Sequence, residues 1–415
     1  MSLRKLLLVT YYFPPCAASG TFRALGFARH LPKFGWQPVV VAPPRIPWEP
    51  LDEGLLRQVP PETPMYRPAY PRGRVAGLLQ RFVSSGVWWP RALAACAQAV
   101  REHRPDAVLT TSPPHGVHLL GRLLNLRHGL PWVADFRDPW AAANWQGGRP
   151  GLRGWWNARC ERLVMSAADA VIANAPLACE GLQAAYPAYR HKMVAMTNGY
   201  DPESFPTVNS VKKTTRLTVV HAGELYAGRD PRPLLDAFRD LSASARPARL
   251  YLLGRSEGVG FDLGAEIRQR GLDNAVDFSG QVAYGRALTE MAAADILLLL
   301  DTPGRRIGIP AKLYEYLGAA RPILALAEPD GDTAWALRES GILHRIAPLT
   351  DAGRIRQALT ELIEAVVSGQ PVTATGPQRL AFTRERLAGR LADCLNACVE
   401  HAAGRRRVCE LVSEA

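Results

Sequence analysis

The sequence predicts an α/β protein built from two doubly wound parallel-sheet domains facing a cleft. Its 415 residues exceed what a single core usually accommodates, so two domains are the default. Short runs of aliphatic residues alternate with helical patterns through both halves, as in open parallel sheets. The alternation breaks at a polar, turn-rich segment, residues 198–210 (NGYDPESFPTVNS), and starts afresh at Leu217.

The first element is KLLLVT at residues 5–10. Its basic start and apolar run superficially resemble a signal peptide, but the run is short and lacks a small-residue cleavage site, so it reads as a buried strand. A helical pattern over residues 21–34 repeats Phe22, Leu25, Phe27 and Leu31 and leads to the strand at residues 38–42, completing a βαβ unit. Further strands are expected at 107–110, 132–134 and 170–173 in the first half. In the second half they are expected at 217–221, 249–253, 276–278, 296–300 and 322–326, with helices between. The expected domains are therefore residues 1–205 and 206–376. A helical segment over 377–415 is expected to pack back on the first.

Composition narrows the function classes. Hydrophobic residues make up 47% and charged residues 21% of the chain, a globular balance without low-complexity tracts. No stretch approaches the roughly 20 apolar residues that span a bilayer. The seven cysteines are scattered without a C-x-x-C, which argues against a disulfide framework or zinc site and fits a reducing cytoplasm. The net charge of +12 is concentrated in residues 1–205, where 23 Lys and Arg face 13 Asp and Glu. Nine of the ten tryptophans lie there too. Trp with Arg suits a surface resting on anionic lipid headgroups at the inner face of a membrane, and an Arg-rich composition with buried Trp explains the same counts equally well. The basic residues form no dense run or RNA-binding signature, so nucleic acid is not an expected partner.

Four segments have the residue types that bind or react. The first strand–helix loop, residues 11–20 (YYFPPCAASG), ends in small residues before a helix, which suits either a phosphate held by backbone N–H groups or a tight turn. It is not G-x-G-x-x-G, and the second strand ends in Ala42-Pro43-Pro44 rather than an acid, so NAD is disfavoured. Residues 135–140 (DFRDPW) follow a strand directly, where open sheets bind ligands; Asp135, Arg137 and Asp138 are site candidates, with an Arg137-neutralised ion pair as the structural alternative. In the second half, Arg229 of GELYAGR is placed to clamp a diphosphate. The strongest segment is residues 308–318 (GIPAKLYEYLG), where Pro310 suits a helix start, N–H groups near Gly308 and Ile309 meet phosphates, Lys312 adds charge and Glu315 accepts from ribose hydroxyls. Isolated, Lys312 and Glu315 would read as a surface i,i+3 pair. His115 and His118 follow a strand and suit a base, a sugar contact or a hydrogen-bonded structural role. No cluster has metal-ligand spacing or a nucleophile elbow.

Taken in order, YYFPPCAASGTFR, PWVADFRDPW, NGYDPESF and IPAKLYEYLGAARPILAL resemble glycosyltransferase family 4, over nearly the whole chain. DFRDPW with PAKLYEYL is similar to a bacterial subgroup that builds surface polysaccharides. The resemblance implies the GT-B fold, with two Rossmann-like domains, and a retaining, metal-independent hexosyl transfer from a nucleoside-diphosphate sugar to a glycan or lipid-linked glycan. It implies no cofactor beyond the donor substrate, and a cytoplasmic or peripheral membrane location. By position, Glu315 matches the second glutamate of the family's E-x7-E motif and Arg229 its diphosphate-binding lysine. Gly20, Gly308, Ile309 and Lys312 complete the implied donor site. Arg137 stands where the family carries its active-site histidine, so Arg137 or Asp138 is expected to touch the donor sugar or the acceptor hydroxyl, and Asp135 and His118 are assigned to the acceptor. Two positions depart from the pattern: Ile307 replaces the first glutamate, and Glu224 stands where an arginine is common. These departures keep two rivals in view, a sugar-nucleotide epimerase or hydrolase on the same frame and a non-catalytic nucleotide- or glycan-binding protein.

Overall fold

The computed structural model describes residues 3–46, 48–69, 88–141, 151–206, 217–226, 228–242, 248–256, 258–372 and 377–413, the last nine of these as backbone alone. The chain forms two compact units, Met1–Asn198 with Arg384–Ala415, and Gly199–Thr383.

In the first unit, seven parallel strands are ordered β3-β2-β1-β4-β5-β6-β7. They are β1 (Arg4–Thr10), β2 (Trp36–Val41), β3 (Met65–Tyr66), β4 (Ala107–Ser112), β5 (Trp132–Phe136), β6 (Ala170–Ala173) and β7 (Met193–Ala195). The described helices between them are α1 (Thr21–His30), α2 (Trp89–His103), α3 (Val117–His128), α4 (Leu152–Ala167) and α5 (Pro176–Ala185). Strands covered on both faces need continuous apolar runs, and LLLV of β1 and VVV of β2 are entirely buried. Helix α1 ends earlier than its apolar pattern, because Pro32 lacks the N–H needed to continue it and the chain tightens into a 3-10 turn over Leu31–Phe34.

The second unit has six parallel strands ordered β10-β9-β8-β11-β12-β13. These are β8 (Leu217–Ala222), β9 (Ala248–Leu253), β10 (Val276–Gly280), β11 (Ile296–Leu300), β12 (Ile323–Leu326) and β13 (His344–Ala347). Helices α6 (Arg232–Ser242), α7 (Leu263–Gln269), α8 (Tyr284–Ala293), α9 (Ala311–Ala319), α10 (Asp332–Ser340) and α11 (Ala352–Val367) connect or follow them. The last helix, α12 (Arg384–Ser413), returns to the first unit and packs on α1. Leu387, Leu391 and Leu395 enter that unit's core, and Asn396 Oδ1 accepts from Arg4 Nη1 at 2.8 Å and Trp36 Nε1 at 3.1 Å.

Each sheet thus reverses its strand order once, between β1 and β4 and between β8 and β11. The loops leaving those strands are splayed apart by the helices on opposite faces, so the carboxyl edge at each reversal is where ligands enter such folds. Three strands lie outside the sequence expectation, β3, β7 and β13. All are short edge or near-edge strands with incomplete burial, which removes the apolar run that reveals the others. Among the described residues no helix is long and apolar enough to cross a membrane.

Candidate active site

The β8 and β11 loops and the start of α9 carry five of the expected donor-site residues, Arg229, Gly308, Ile309, Lys312 and Glu315, at one edge of the second sheet. Gly223 can lie tightly against the end of β9 because residue 254 is a glycine at φ +154°, where any Cβ would collide with the Gly223 backbone. The β8 loop continues through Tyr226, which bridges to Gly258, and Gly228 meets Thr302 of the β11 loop. Arg229 follows, its guanidinium 4.2 Å above the Tyr226 ring. Burial lowers the Arg229 pKa first, with Asp301 partly opposing and Arg305 adding to the effect. Its Nε is buried without a hydrogen-bond partner among the described residues.

Residues 301–310 are pinned before they reach α9. Fully buried Asp301 accepts from Thr333 Oγ1 at 2.7 Å and the Thr302 N–H at 2.8 Å, and pairs with Arg305 at 3.2 Å. Gly304 N–H donates to Glu328 Oε1 at 2.7 Å, and the Asp332 N–H to the Arg306 carbonyl at 2.8 Å. Gly308 takes φ +91°, a region costly for other residues, and its N–H donates to Asp332 Oδ2 at 2.7 Å. This corrects one expectation: the Gly308 N–H is already engaged. The Ile309 side chain is buried, which leaves only its backbone for a ligand.

Pro310 precedes α9 with extended ψ, and Leu313 N–H already returns to the Pro310 carbonyl at 3.0 Å. A helix start leaves its first N–H groups without intrahelical acceptors, and at α9 these belong to Ala311 and Lys312. Tyr316 locks the helix in place: its hydroxyl accepts from the Ala222 N–H and donates to the Leu298 carbonyl, each at 3.0 Å. One turn earlier, Lys312 Nζ and Glu315 Oε2 are 2.6 Å apart, and Tyr284 Oη is 3.5 Å from Glu315 Oε1. The i,i+3 pair is therefore real, and it sits at the sheet's carboxyl edge on the loop side of a buried anchor.

His221 lies under this edge. Its Nδ1 donates to the Leu298 carbonyl at 2.9 Å, and burial drives its pKa down to about 4, so the ring is neutral with Nε2 an acceptor. The Arg229 and Lys312 charges lower the pKa further, opposed by the Leu298 and Gly223 backbone.

The first unit separates its candidates into two groups. Arg137 and Gly20 meet: a Cβ on Gly20 would lie 2.6 Å from Arg137 Nη1, so the glycine permits the guanidinium to lie against the β1–α1 loop. Arg137 Nη2 is 3.4 Å from Ser19 Oγ, and burial lowers its pKa, opposed by Asp138. The Asp138 side chain is exposed, while its carbonyl accepts from His115 Nε2 at 2.8 Å.

Asp135 and His118 behave differently from their expected acceptor role. Asp135 is fully buried and paired with Arg23, not Arg137. Arg23 Nε and Nη2 grip its two oxygens at 2.8 Å each, Thr111 Oγ1 adds a bond at 2.7 Å, and Arg23 also donates to the Met196 and Thr197 carbonyls. His118 is likewise fully buried, stacked on Phe136 with ring centroids 4.2 Å apart. Thr110 Oγ1 accepts from Trp132 Nε1 at 2.8 Å and is hydrogen-bonded to His118 Nδ1, also at 2.8 Å. Burial holds the His118 pKa well below the usual value and keeps the ring neutral. Both residues support the loops that carry Arg137 and Asp138.

Asp301, Arg305, Asp332, Thr333, His221 and Tyr284 belong to the site without having been singled out from sequence. Asp301 had a signal, an acid closing the apolar run ILLLL at a strand end. The others depend on partners many residues away.

Two parallel sheets, each with its charged loops at the carboxyl edge of a strand-order reversal, define the class of this protein: it has the GT-B fold. Residues 21–199 match the glycosyl transferase 4-like domain, and the chain is a glycosyltransferase. Solved structures share the fold at low identity. HepE of Anabaena, crystallised with UDP-glucose, is 15% identical with a TM-score of 0.55, covering 97% of this chain and 99% of that one. A glycosyltransferase of Rickettsia africae is 12% identical with a TM-score of 0.63, covering 97% and 94%. The lipopolysaccharide outer core galactosyltransferase WaaB is 13% identical with a TM-score of 0.63, covering 95% and 99%. No curated protein matches the chain in sequence.

Proposed function

We propose that this glycosyltransferase uses a nucleoside-diphosphate sugar, held at the carboxyl edge of the second sheet, and transfers the sugar with retention, without a metal, to a glycan or lipid-linked glycan in surface-polysaccharide synthesis. One observation carries the reading. The Arg229 guanidinium is buried near Asp301 with its Nε lacking a hydrogen-bond partner among the described residues, while Thr333, the Thr302 N–H and Arg305 already hold that carboxylate, so this edge has a place for negative charge. A diphosphate supplies that charge, and Glu315 beside it accepts from ribose hydroxyls. The UDP-glucose bound in the HepE crystal structure makes a uridine diphosphate sugar the first donor to test.

Catalysis in this reading is charge stabilisation of the departing diphosphate by Arg229, Lys312 and the helix start. In a same-face transfer the leaving group itself accepts the acceptor's proton, so orientation replaces a general base. Arg137 and Asp138 are proposed to orient the acceptor or the donor sugar from the first unit. Ile307 supplies no polar contact, so sugar recognition is assigned to other groups.

A thermal-shift panel of nucleoside diphosphates and their sugars tests the reading. A ligand at 100 times its Kd stabilises a native protein by about 2.7 kcal/mol, and the shift is expected with one base and lost in Glu315→Ala and Lys312→Ala. If no nucleotide stabilises the wild-type protein, the donor assignment fails.

A further inference from the structure

Helix α4 has two apolar faces, and only one of them is used inside the protein. Cys160, Val164 and Met165 are buried on one side. At spacings that place them together on the other side, Leu152, Trp155, Trp156 and Leu163 face solvent, with Leu152 88%, Trp155 60% and Trp156 58% exposed. Ordinary globular helices put charged or polar residues there, so a stripe with two tryptophans calls for a partner.

The charges around the stripe have one sign. Arg153, Arg159 and Arg162 are exposed on α4, and the Arg159 guanidinium lies 5.4 Å from the Trp155 ring centroid. The one acid of α4, Glu161, is fully buried, accepting from the Ala141 N–H at 2.7 Å and the Tyr186 hydroxyl at 2.8 Å. The adjoining α3 contains no acid and exposes Leu126 and Arg127. The two helices therefore present leucine, tryptophan and arginine with no exposed carboxylate.

We propose that the outward face of α4, extended by α3, docks on an anionic lipid bilayer. The arginines meet the headgroup charge, the tryptophans take the interfacial position their amphipathic rings favour, and Leu152 and Leu163 reach the acyl boundary. A nucleic acid would satisfy the arginines but offers no apolar phase for the leucines. This inference does not depend on the donor assignment, and its test has a separate readout.

Full-length protein is floated at low salt with vesicles of phosphatidylcholine alone or containing phosphatidylglycerol. Wild type is expected to float only with the anionic vesicles, and Leu152→Ser/Trp155→Ser/Trp156→Ser is expected to reduce binding at least about tenfold. Val367→Ser, which changes an exposed apolar residue of α11, is expected to bind like wild type. A charge-reversed variant, Arg153→Glu/Arg159→Glu/Arg162→Glu, covers the case in which the triple serine variant fails to fold; each arginine lost is expected to weaken binding about fivefold. The proposal is overturned if wild type stays unbound, if both triple variants float like wild type, or if the patch instead drives self-association in the absence of vesicles.

Discussion

Removing Arg23 is predicted to destabilise the first unit severely, because the side chain holds more than one partner. Arg23→Met leaves the Asp135 carboxylate fully buried with only Thr111 as a side-chain donor, and it strips the Met196 and Thr197 carbonyls of the guanidinium that joins α1 to the segment after β7. Breaking a buried, hydrogen-bonded ion pair by removing one partner costs about 3–5 kcal/mol. For a unit of this size each kcal/mol lowers Tm by about 2–4 °C, so a fall of about 10 °C is expected in calorimetry of the intact chain. Arg23→Met/Asp135→Leu removes both charges and is expected to recover much of the loss, since a buried pair replaced by apolar groups is often near neutral. A single-variant shift below about 2 °C, or a double variant no more stable than the single, would refute the assignment of Asp135 as a structural anchor.

Other predictions address the site itself. Gly20→Val places branches where Arg137 Nη1 and the Tyr12 ring lie, and is expected to reduce kcat/KM about a hundredfold in a transfer assay, with a fall in Tm of a few degrees from overpacking. Arg229→Ala removes the diphosphate clamp and is expected to weaken nucleotide binding about ten- to hundredfold by calorimetric titration; unchanged affinity would place the diphosphate elsewhere. Acid should destabilise the second unit through His221. Its folded pKa is lowered to about 4, so the unfolded chain binds the proton first, and stability is lost as pH falls from about 6.5 towards 4. The full shift corresponds to about 3 kcal/mol, and His221→Asn should flatten that part of a Tm-against-pH curve.

The long central strands were legible because a parallel sheet covered on both faces demands uninterrupted apolar residues. LLLV, VVV and ILLLL are short enough, and followed by loop segments, to read as buried strands. What escaped were strands that do not pay for themselves in side-chain burial. β3 is two residues long with Met65 exposed, and β13 opens on two basic residues, His344-Arg345, before Ile346 and Ala347. They exist because a neighbouring strand supplies hydrogen-bond partners, β2 for one and β12 for the other, and that information is non-local.

The donor edge was legible for a similar local reason. Pro310, Lys312 and Glu315 lie within two turns, and a helix start with a cation and an acid at i,i+3 can be read from six residues. The supporting carboxylates could not be read this way. Asp301 pairs through Thr333, and Gly308 through Asp332, across 32 and 24 residues respectively, so the sequence shows charge without showing its partner.

The DFRDPW segment makes the same distinction within three residues. Asp135 still belongs to β5, so its side chain is enclosed by the sheet and α1, and only a charged partner already inside the core can satisfy it; that partner is Arg23. Arg137 follows Phe136, the last residue of the strand, where the chain leaves the sheet and its guanidinium turns to Gly20 and Ser19 instead. Two charges that read alike in sequence acquire opposite roles because the strand ends between them. The boundary of β5 therefore divides anchor from candidate ligand, and exchanging the two charges should fail even though the net charge is unchanged: Asp135→Arg/Arg137→Asp would set two arginines against each other in the core. Loss of the cooperative unfolding transition of the first unit is the expected outcome, and a variant melting within about 2 °C of wild type would show that the boundary does not decide the roles.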